Sequence, residues 1–281
     1  MFNKYLKYKF KYLKLKNDIY NQKGGNIINI PKLCFGTAQY KLENTLPIAI
    51  ENNINHFDCA DLYNSENKDI LKENLKKLDR SKYWLTWKSN NITIDNIKSI
   101  ISFLECEYLD LFLIHHYNPY YENSLNILIK ARNLGLIKYY GVSNYENLEN
   151  ILYLKQTYNI YALQIQARPP DGQIIGKSKL DNNFIEKCND NDIKIMLYAT
   201  SSGFLKNDKN LEYYEILKNL NLYYLNKYIF DKINCLIISS ISGLTIKYNC
   251  DLLNCKKEFI NCDLNCFEKQ LESLELYDMS H

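Results

Sequence analysis

Eight short apolar runs recur along this chain, near residues 33–37, 56–59, 84–88, 110–115, 139–142, 161–165, 193–198 and 235–239. Longer segments with helical spacing lie between them. One holds Ile94, Ile97, Ile101 and Leu104, another Leu125, Leu128, Ile129 and Leu134, a third Leu148, Ile151, Leu152 and Leu154. Apolar residues three and four apart share one helix face. Strands that alternate with helices build a parallel α/β sheet, because each parallel connection needs a crossover. Eight such strands in 281 residues favour a closed (β/α)8 TIM barrel over an open sheet. An open doubly wound sheet more often carries a Gly-rich turn after its first strand. The chain has no GxGxxG and no P-loop motif.

Composition bounds the remaining classes. The hydrophobic fraction is 46%, enough for a large core. The formal net charge is +3, too small to argue for nucleic acid as a partner. The charge is uneven, since residues 1–25 hold seven lysines and one aspartate, or +6, and the rest carries about −3. The chain thus divides into a basic leader, 1–25, and one domain, 26–281, whose end from about residue 256 reads as a further helix and short tail. Leu6, Leu13 and Tyr20, and Tyr5, Tyr12 and Ile19, repeat every seven residues in the leader, the pattern of a basic amphipathic helix that ends at Gly24-Gly25. Such a segment reads as a peripheral helix or loose tail, with a membrane-surface role or weak contact to an acidic partner as its second reading.

Nine cysteines, an odd number without a CxxC, fit reduced thiols in an intracellular, cytoplasmic protein. Cys250, Cys255, Cys262 and Cys266 do not have the short spacing of zinc-ligand pairs, so no metal site is expected. No run is long and apolar enough to predict a membrane span, and the N-terminus lacks the apolar core of a signal peptide.

In a barrel of this kind, reactive side chains lie at the C-terminal ends of the strands. The second strand is expected to end at Asp58, with Tyr63 in the loop after it; the third ends at Lys88, and the fourth at His115 and His116. One barrel mouth can gather all of them. A phenol with a pKa near 10 exchanges protons poorly at neutral pH unless a cation stabilises its anion. Lys88 can be that cation, Asp58 its counter-charge, and His115 a hydrogen-bonding group for a substrate oxygen. Such a set polarises a carbonyl and protonates it, but no side chain can provide a hydride. Asp61 and Glu66 read as loop and helix-start residues, and His116 as structural or pocket-lining.

The segments FDCADLYNSE, TWK, YLDLFLIH and GLIKYYGVSNYENLENIL resemble, in order and spacing, segments of the aldo-keto reductases, and the resemblance runs from about residue 32 to 255. It implies an NAD(P)H-dependent oxidoreductase that reduces an aldehyde or ketone, a small carbonyl substrate, to an alcohol. It implies a catalytic tetrad of Asp58, Tyr63, Lys88 and His115, with Tyr63 as general acid and Lys88 and Asp58 lowering its pKa. It further implies cofactor contacts from Gly36, Thr37 and Ala38 near the first strand, and from Ser143, Asn144 and Gln164 around the nicotinamide carboxamide. Tyr198 would stack on the ring, and the segment with Ser240 and Asn249 would hold the phosphate and adenine.

The chain departs from the family pattern after the eighth strand. Ser239 and Thr245 stand where many members carry a lysine and an arginine for the 2′-phosphate of NADP. NADP(H) is expected first, with Lys247 and Ser240 as substitutes, and NAD(H) second. The segment from Ser201 to Cys235 is short, and no long C-terminal loop follows, so a more open pocket is expected. Arg168 reads as a pocket residue for an anionic substrate or as a surface arginine. The alternative to an enzyme is a nicotinamide-binding, redox-sensing regulatory subunit with little turnover; a purely structural barrel is a third reading. The leader also resembles lysine- and tyrosine-rich leaders ending in Gly-Gly on giant-virus proteins, which would imply virion association.

Overall fold

The computed structural model describes residues 29–38, 41–117, 121–166, 182–198, 233–238, 246 and 250. They contain the strands β1 (Leu33–Gly36), β2 (His56–Ala60), β3 (Trp84–Ser89), β4 (Leu109–Ile114), β5 (Ile137–Ser143), β6 (Ala162–Gln166), β7 (Lys194–Tyr198) and β8 (Cys235–Ile238). They also contain the helices α1 (Leu42–Glu51), α2 (Ser65–Leu75), α3 (Ile94–Leu104), α4 (Tyr121–Asn133), α5 (Leu148–Tyr158) and α6 (Asn182–Asp190). Each strand pairs in parallel with the next, and β1 also pairs with β8 through Leu33–Leu236, Cys34–Ile237 and Phe35–Ile238. The sheet therefore closes into an eight-stranded parallel barrel, with a helix between each two successive strands from β1 to β7. The leader 1–25 and the expected C-terminal helix lie outside the described residues.

Local signals account for the helix ends. Asn64, Thr93 and Asn147 cap α2, α3 and α5, each side chain accepting the backbone N–H three residues on, at 2.7, 3.0 and 2.9 Å. Helix α4 stops at Asn133, so Leu134 leaves the expected apolar face and is 56% exposed. The cause is Gly135, whose φ of +76° allows a left-handed turn. In it Leu136 N–H donates to Ala131 O at 3.1 Å and Gly135 N–H to Arg132 O at 3.0 Å.

Successive strand residues alternate between two apolar clusters. Leu33, Phe35, Phe57, Leu85, Phe112, Leu163 and Ile195 pack with helix residues such as Leu46, Leu71, Ile97 and Leu125. Cys34, Trp84, Leu111, Leu113, Ala162, Met196, Cys235 and Ile237 form the other cluster, which takes no helix residue and fills the barrel interior. Near the strand starts, Trp84 stacks on Tyr139 at 5.6 Å between ring centroids, and Tyr139 on Tyr161 at 4.1 Å. These rings plug the N-terminal end of the barrel, and the polar interior residues lie beyond them toward the strand ends.

Gly141 shows how tightly β5 and β6 approach. A Cβ at this position would lie 2.0 Å from the Ala162 carbonyl oxygen, a backbone atom that cannot swing aside. Gly141→Ala is expected to cost at least the ~1–3 kcal/mol typical of overpacking, read as a lower urea midpoint with an unchanged slope. An unchanged midpoint would show that the β5–β6 spacing relaxes without cost.

Candidate active site

Strand β2 continues two residues beyond Asp58, to Ala60, so Asp58 lies within the strand and not at its end. The even positions of β2 face inward, and Asp58 enters the barrel with 2% of its surface exposed. The chain then turns, with Tyr63 N–H donating to Ala60 O at 3.1 Å, and Asn64 starts α2. This turn returns the Tyr63 phenol to the barrel mouth. Lys88, on β3, pairs in register with Ala60 and is 3% exposed. Its Nζ forms an ion pair with Asp58 Oδ2 and donates to Tyr63 Oη at 3.1 Å. His115 follows β4, and its ring meets that of Tyr63 edge-on at 6.4 Å. The four residues that sequence reasoning placed at one mouth are thus brought together.

A second linked group adjoins the first. Gln164 Nε2 donates to Asp58 Oδ1 at 2.8 Å, and Ser143 Oγ donates to Gln164 Oε1 at 3.2 Å. Asn144 has φ +61°, a left-handed conformation that turns the chain sharply after β5. Its amide donates to His115 O at 2.9 Å and accepts from Tyr198 Oη at 2.5 Å. At the end of β1, Gly36 pairs with Asp58, while Thr37 donates to Asp58 O from both N–H, at 3.0 Å, and Oγ1, at 2.9 Å. Ala38 follows and is exposed. Ser240 and Asn249, with Arg168, Ser239, Thr245 and Lys247, lie outside the described residues, as does most of the segment from Ser201 to Cys235.

Burial sets the protonation states. It pushes the Tyr63 phenol up to about 12; Lys88 pulls it down, and Asp58 adds to the rise. This corrects the expectation that Lys88 and Asp58 together lower it. Only the lysine does, and burial outweighs the lysine. Burial pulls Lys88 down, but the charges of Asp58 and Tyr63 and the hydrogen bonds to them prevail, so the ammonium is held above its usual range. His115 is pushed down to about 3, by burial first and then by Lys88 and His116, against Asp61. The site at neutral pH is therefore a protonated phenol, a paired ammonium and a neutral imidazole.

Sequence reasoning missed the supports of this geometry. Asp61 lies in the expected loop, but it also accepts from Trp87 Nε1 at 2.7 Å and Asn96 Nδ2 at 3.2 Å, tying the Tyr63 turn to β3 and α3. Asn67 donates to Thr37 O at 2.7 Å and so joins α2 to the end of β1. His116 stacks on His115 at 4.3 Å. No sequence spacing signals the Asp61 and Asn67 contacts, because each joins separate elements.

The family model described as the Aldo/keto reductase family matches residues 32–221. The chain belongs to that family. Among curated relatives, it is 30% identical over 149 residues to the NAD/NADP-dependent indole-3-acetaldehyde reductase of Schizosaccharomyces pombe, covering 46% of this chain and 52% of that protein. It is 28% identical over 212 residues to aldo-keto reductase family 1 member C21 of Mus musculus, covering 60% of this chain and 62% of that protein. The chain thus spans about half, or somewhat more, of the length of the curated relatives it matches. Among solved structures, the aldose reductase of Giardia lamblia superimposes with a TM-score of 0.64 at 20% identity, over 82% of this chain and 89% of that one. A Bombyx mori aldo-keto reductase solved in complex with NADP gives 0.62 at 20% identity, over 80% and 84%. Both show the same barrel.

The aldo-keto reductase mouth also suits a nicotinamide chemically. Ser143, Asn144 and Gln164 supply a hydroxyl and two amides, neutral groups that match the donors and acceptors of a carboxamide. Their polar atoms now bond to one another and to Asp58, His115 and Tyr198, so a bound amide would exchange like bonds for like.

In NMR spectra of the 281-residue chain, the His115 ring resonances are expected to stay at their neutral positions from pH 8 to pH 5, since burial and Lys88 push the ring down to about 3. A midpoint near the ordinary ~6.5 would show that the ring is not held neutral.

Proposed function

We propose that this chain is an NAD(P)H-dependent carbonyl reductase in which Tyr63 is the general acid. The observation that carries the reading is the chain of contacts from Asp58 through Lys88 Nζ to Tyr63 Oη, the last at 3.1 Å, beside a neutral His115. A reduced nicotinamide bound near Ser143, Asn144, Gln164 and Tyr198 would supply the hydride. Tyr63 donates its phenolic proton to the carbonyl oxygen, and the product is the alcohol. Lys88 stabilises the phenolate that remains, so the same residue can act as base for alcohol oxidation. Asp58 keeps the ammonium charged and in place. His115, without a charge of its own, orients the carbonyl oxygen by a hydrogen bond and does not compete for the proton.

The cofactor reading is NADP(H) first and NAD(H) second. The Schizosaccharomyces pombe relative is described as NAD/NADP-dependent, and the Bombyx mori structure was solved with NADP. Gly36, Thr37 and Ala38 would line the cofactor from β1, and Ser240 and Asn249 would hold its phosphate and adenine. The substrate is a small aldehyde or ketone.

Fluorescence titration with NADPH and NADH, followed by a panel of small aldehydes and ketones, tests the proposal. Turnover is expected in the wild type and a fall of about 10²–10⁴-fold in Tyr63→Phe, with nucleotide affinity nearly unchanged. Tight nucleotide binding without turnover would replace the proposal by the regulatory reading. Failure to bind either nucleotide would overturn both.

A further inference from the structure

Below the Asp58–Lys88 pair, the barrel interior holds three soft donors that the reaction does not use. Cys34 on β1, His56 on β2 and Cys235 on β8 are each fully buried, and their ligand atoms all lie within 4.8 Å of one another. We propose that Cys34, His56 and Cys235 form a structural zinc site that clamps the seam where the first and last strands close the barrel.

The geometry supports this in three ways. With Zn–S about 2.3 Å and Zn–N about 2.0–2.1 Å, the sulfur–nitrogen edge of a tetrahedral site is about 3.6 Å. Cys235 Sγ lies 3.6 Å from His56 Nδ1. The sulfur–sulfur edge of such a site is about 3.8 Å, so the two thiols close by at most about 1 Å from their present separation. Second, His56 Nε2 is 2.8 Å from Thr86 Oγ1. With metal on Nδ1, the ring proton sits on Nε2 and is donated to Thr86, the outer hydrogen bond that orients a metal-binding histidine.

Third, the charges balance. Two thiolates and one Zn²⁺ form a neutral unit, which can be buried without an unpaired charge, and two protons leave to solvent on binding. Two cysteines and one histidine are a known zinc ligand set, found in catalytic sites that leave the fourth position to a small ligand; a structural zinc held by these three would likewise need a small fourth ligand. Met196, the register partner of Cys235, belongs to the same interior cluster. Cys59 is an internal control, since it is fully buried on β2 but belongs to the outer cluster.

The 281-residue chain is unfolded and refolded anaerobically with reductant and zinc sulfate, then desalted. Zinc is counted by mass spectrometry, and folding is checked by circular dichroism. The wild type and Cys59→Ser are expected to hold one zinc per chain more than Cys34→Ser/Cys235→Ser, and zinc is expected to raise the wild-type melting temperature. If the double variant does not fold, Co(II) refolded into the wild type decides. Thiolate-to-metal charge-transfer bands with tetrahedral ligand-field bands are expected, at a melting temperature above that of the metal-free protein. Equal zinc in wild type and a folded double variant would overturn the proposal, as would Co(II)-treated wild type without those bands or without the rise in melting temperature. So would a Cys34–Cys235 disulfide in the wild type after refolding with zinc.

Discussion

The site depends on one buried ion pair. Asp58 and Lys88 bring opposite charges into the barrel interior, each with a side chain only 3% exposed. Burying either alone would cost several kcal/mol. Together, with further hydrogen bonds to both, the cost is offset: Gln164 donates to the free carboxylate oxygen, and Tyr63 accepts from the ammonium. Removing one partner of such a pair typically costs about 3–5 kcal/mol, because the other charge is left without compensation. The pair is therefore a poor device for stability and a good one for geometry. It fixes where a phenol, an ammonium and an amide can sit relative to one another.

The barrel supplies that geometry through alternation. Every inward position on a strand is followed by an outward one that packs on the helices. The interior is consequently layered along the axis. Aromatic rings of Trp84, Tyr139 and Tyr161 close the strand-start end. Cys34, His56 and Cys235 come next, and His56 meets Trp84 edge-on at 5.9 Å. The ion pair lies beyond, at the end where the loops carry Tyr63 and His115. Charged groups can be held there because the rings exclude water from below and the neighbouring strands supply hydrogen bonds from the sides.

The strands were legible in the sequence for the same reason. Parallel strands buried on both faces read as short apolar runs, and the runs near 84–88 and 235–239 fall within a residue of β3 and β8. That Asp58, Tyr63, Lys88 and His115 meet at one mouth was legible because strand ends are few and their residue types unusual. The end of β2 was misplaced, since an inward Asp58 looks like a stop in an apolar run although the hydrogen bonding continues to Ala60. Long-range partnerships left no local trace. Asp61 to Trp87 and Asn96, Asn67 to Thr37, and Cys34 and His56 to Cys235 join residues that only the closed sheet makes neighbours. The direction of the Tyr63 shift was also out of reach, because it depends on how burial compares with one lysine.

That comparison changes the division of labour at the mouth. A tyrosine whose pKa is pushed to about 12 cannot serve as a standing phenolate at neutral pH. It is protonated at rest, the form that the proposed general-acid role would require. If Tyr63 acts as the proposed acid, Lys88 would matter less for the resting phenol than for the anion left behind, whose oxygen its ammonium already faces at 3.1 Å. In that proposed step Asp58 would act on both sides without touching the substrate. One oxygen holds the ammonium that receives the phenolate, and the other accepts from Gln164, which Ser143 joins and which accepts the Asn144 N–H at its backbone carbonyl at 2.9 Å. A single carboxylate thus links the Lys88–Tyr63 contact to the amides suited to a nicotinamide. A shift in its position would move both together, so the strand position of Asp58 is held more tightly than its chemistry alone demands, by Thr37 from β1 and by the β2–β3 register.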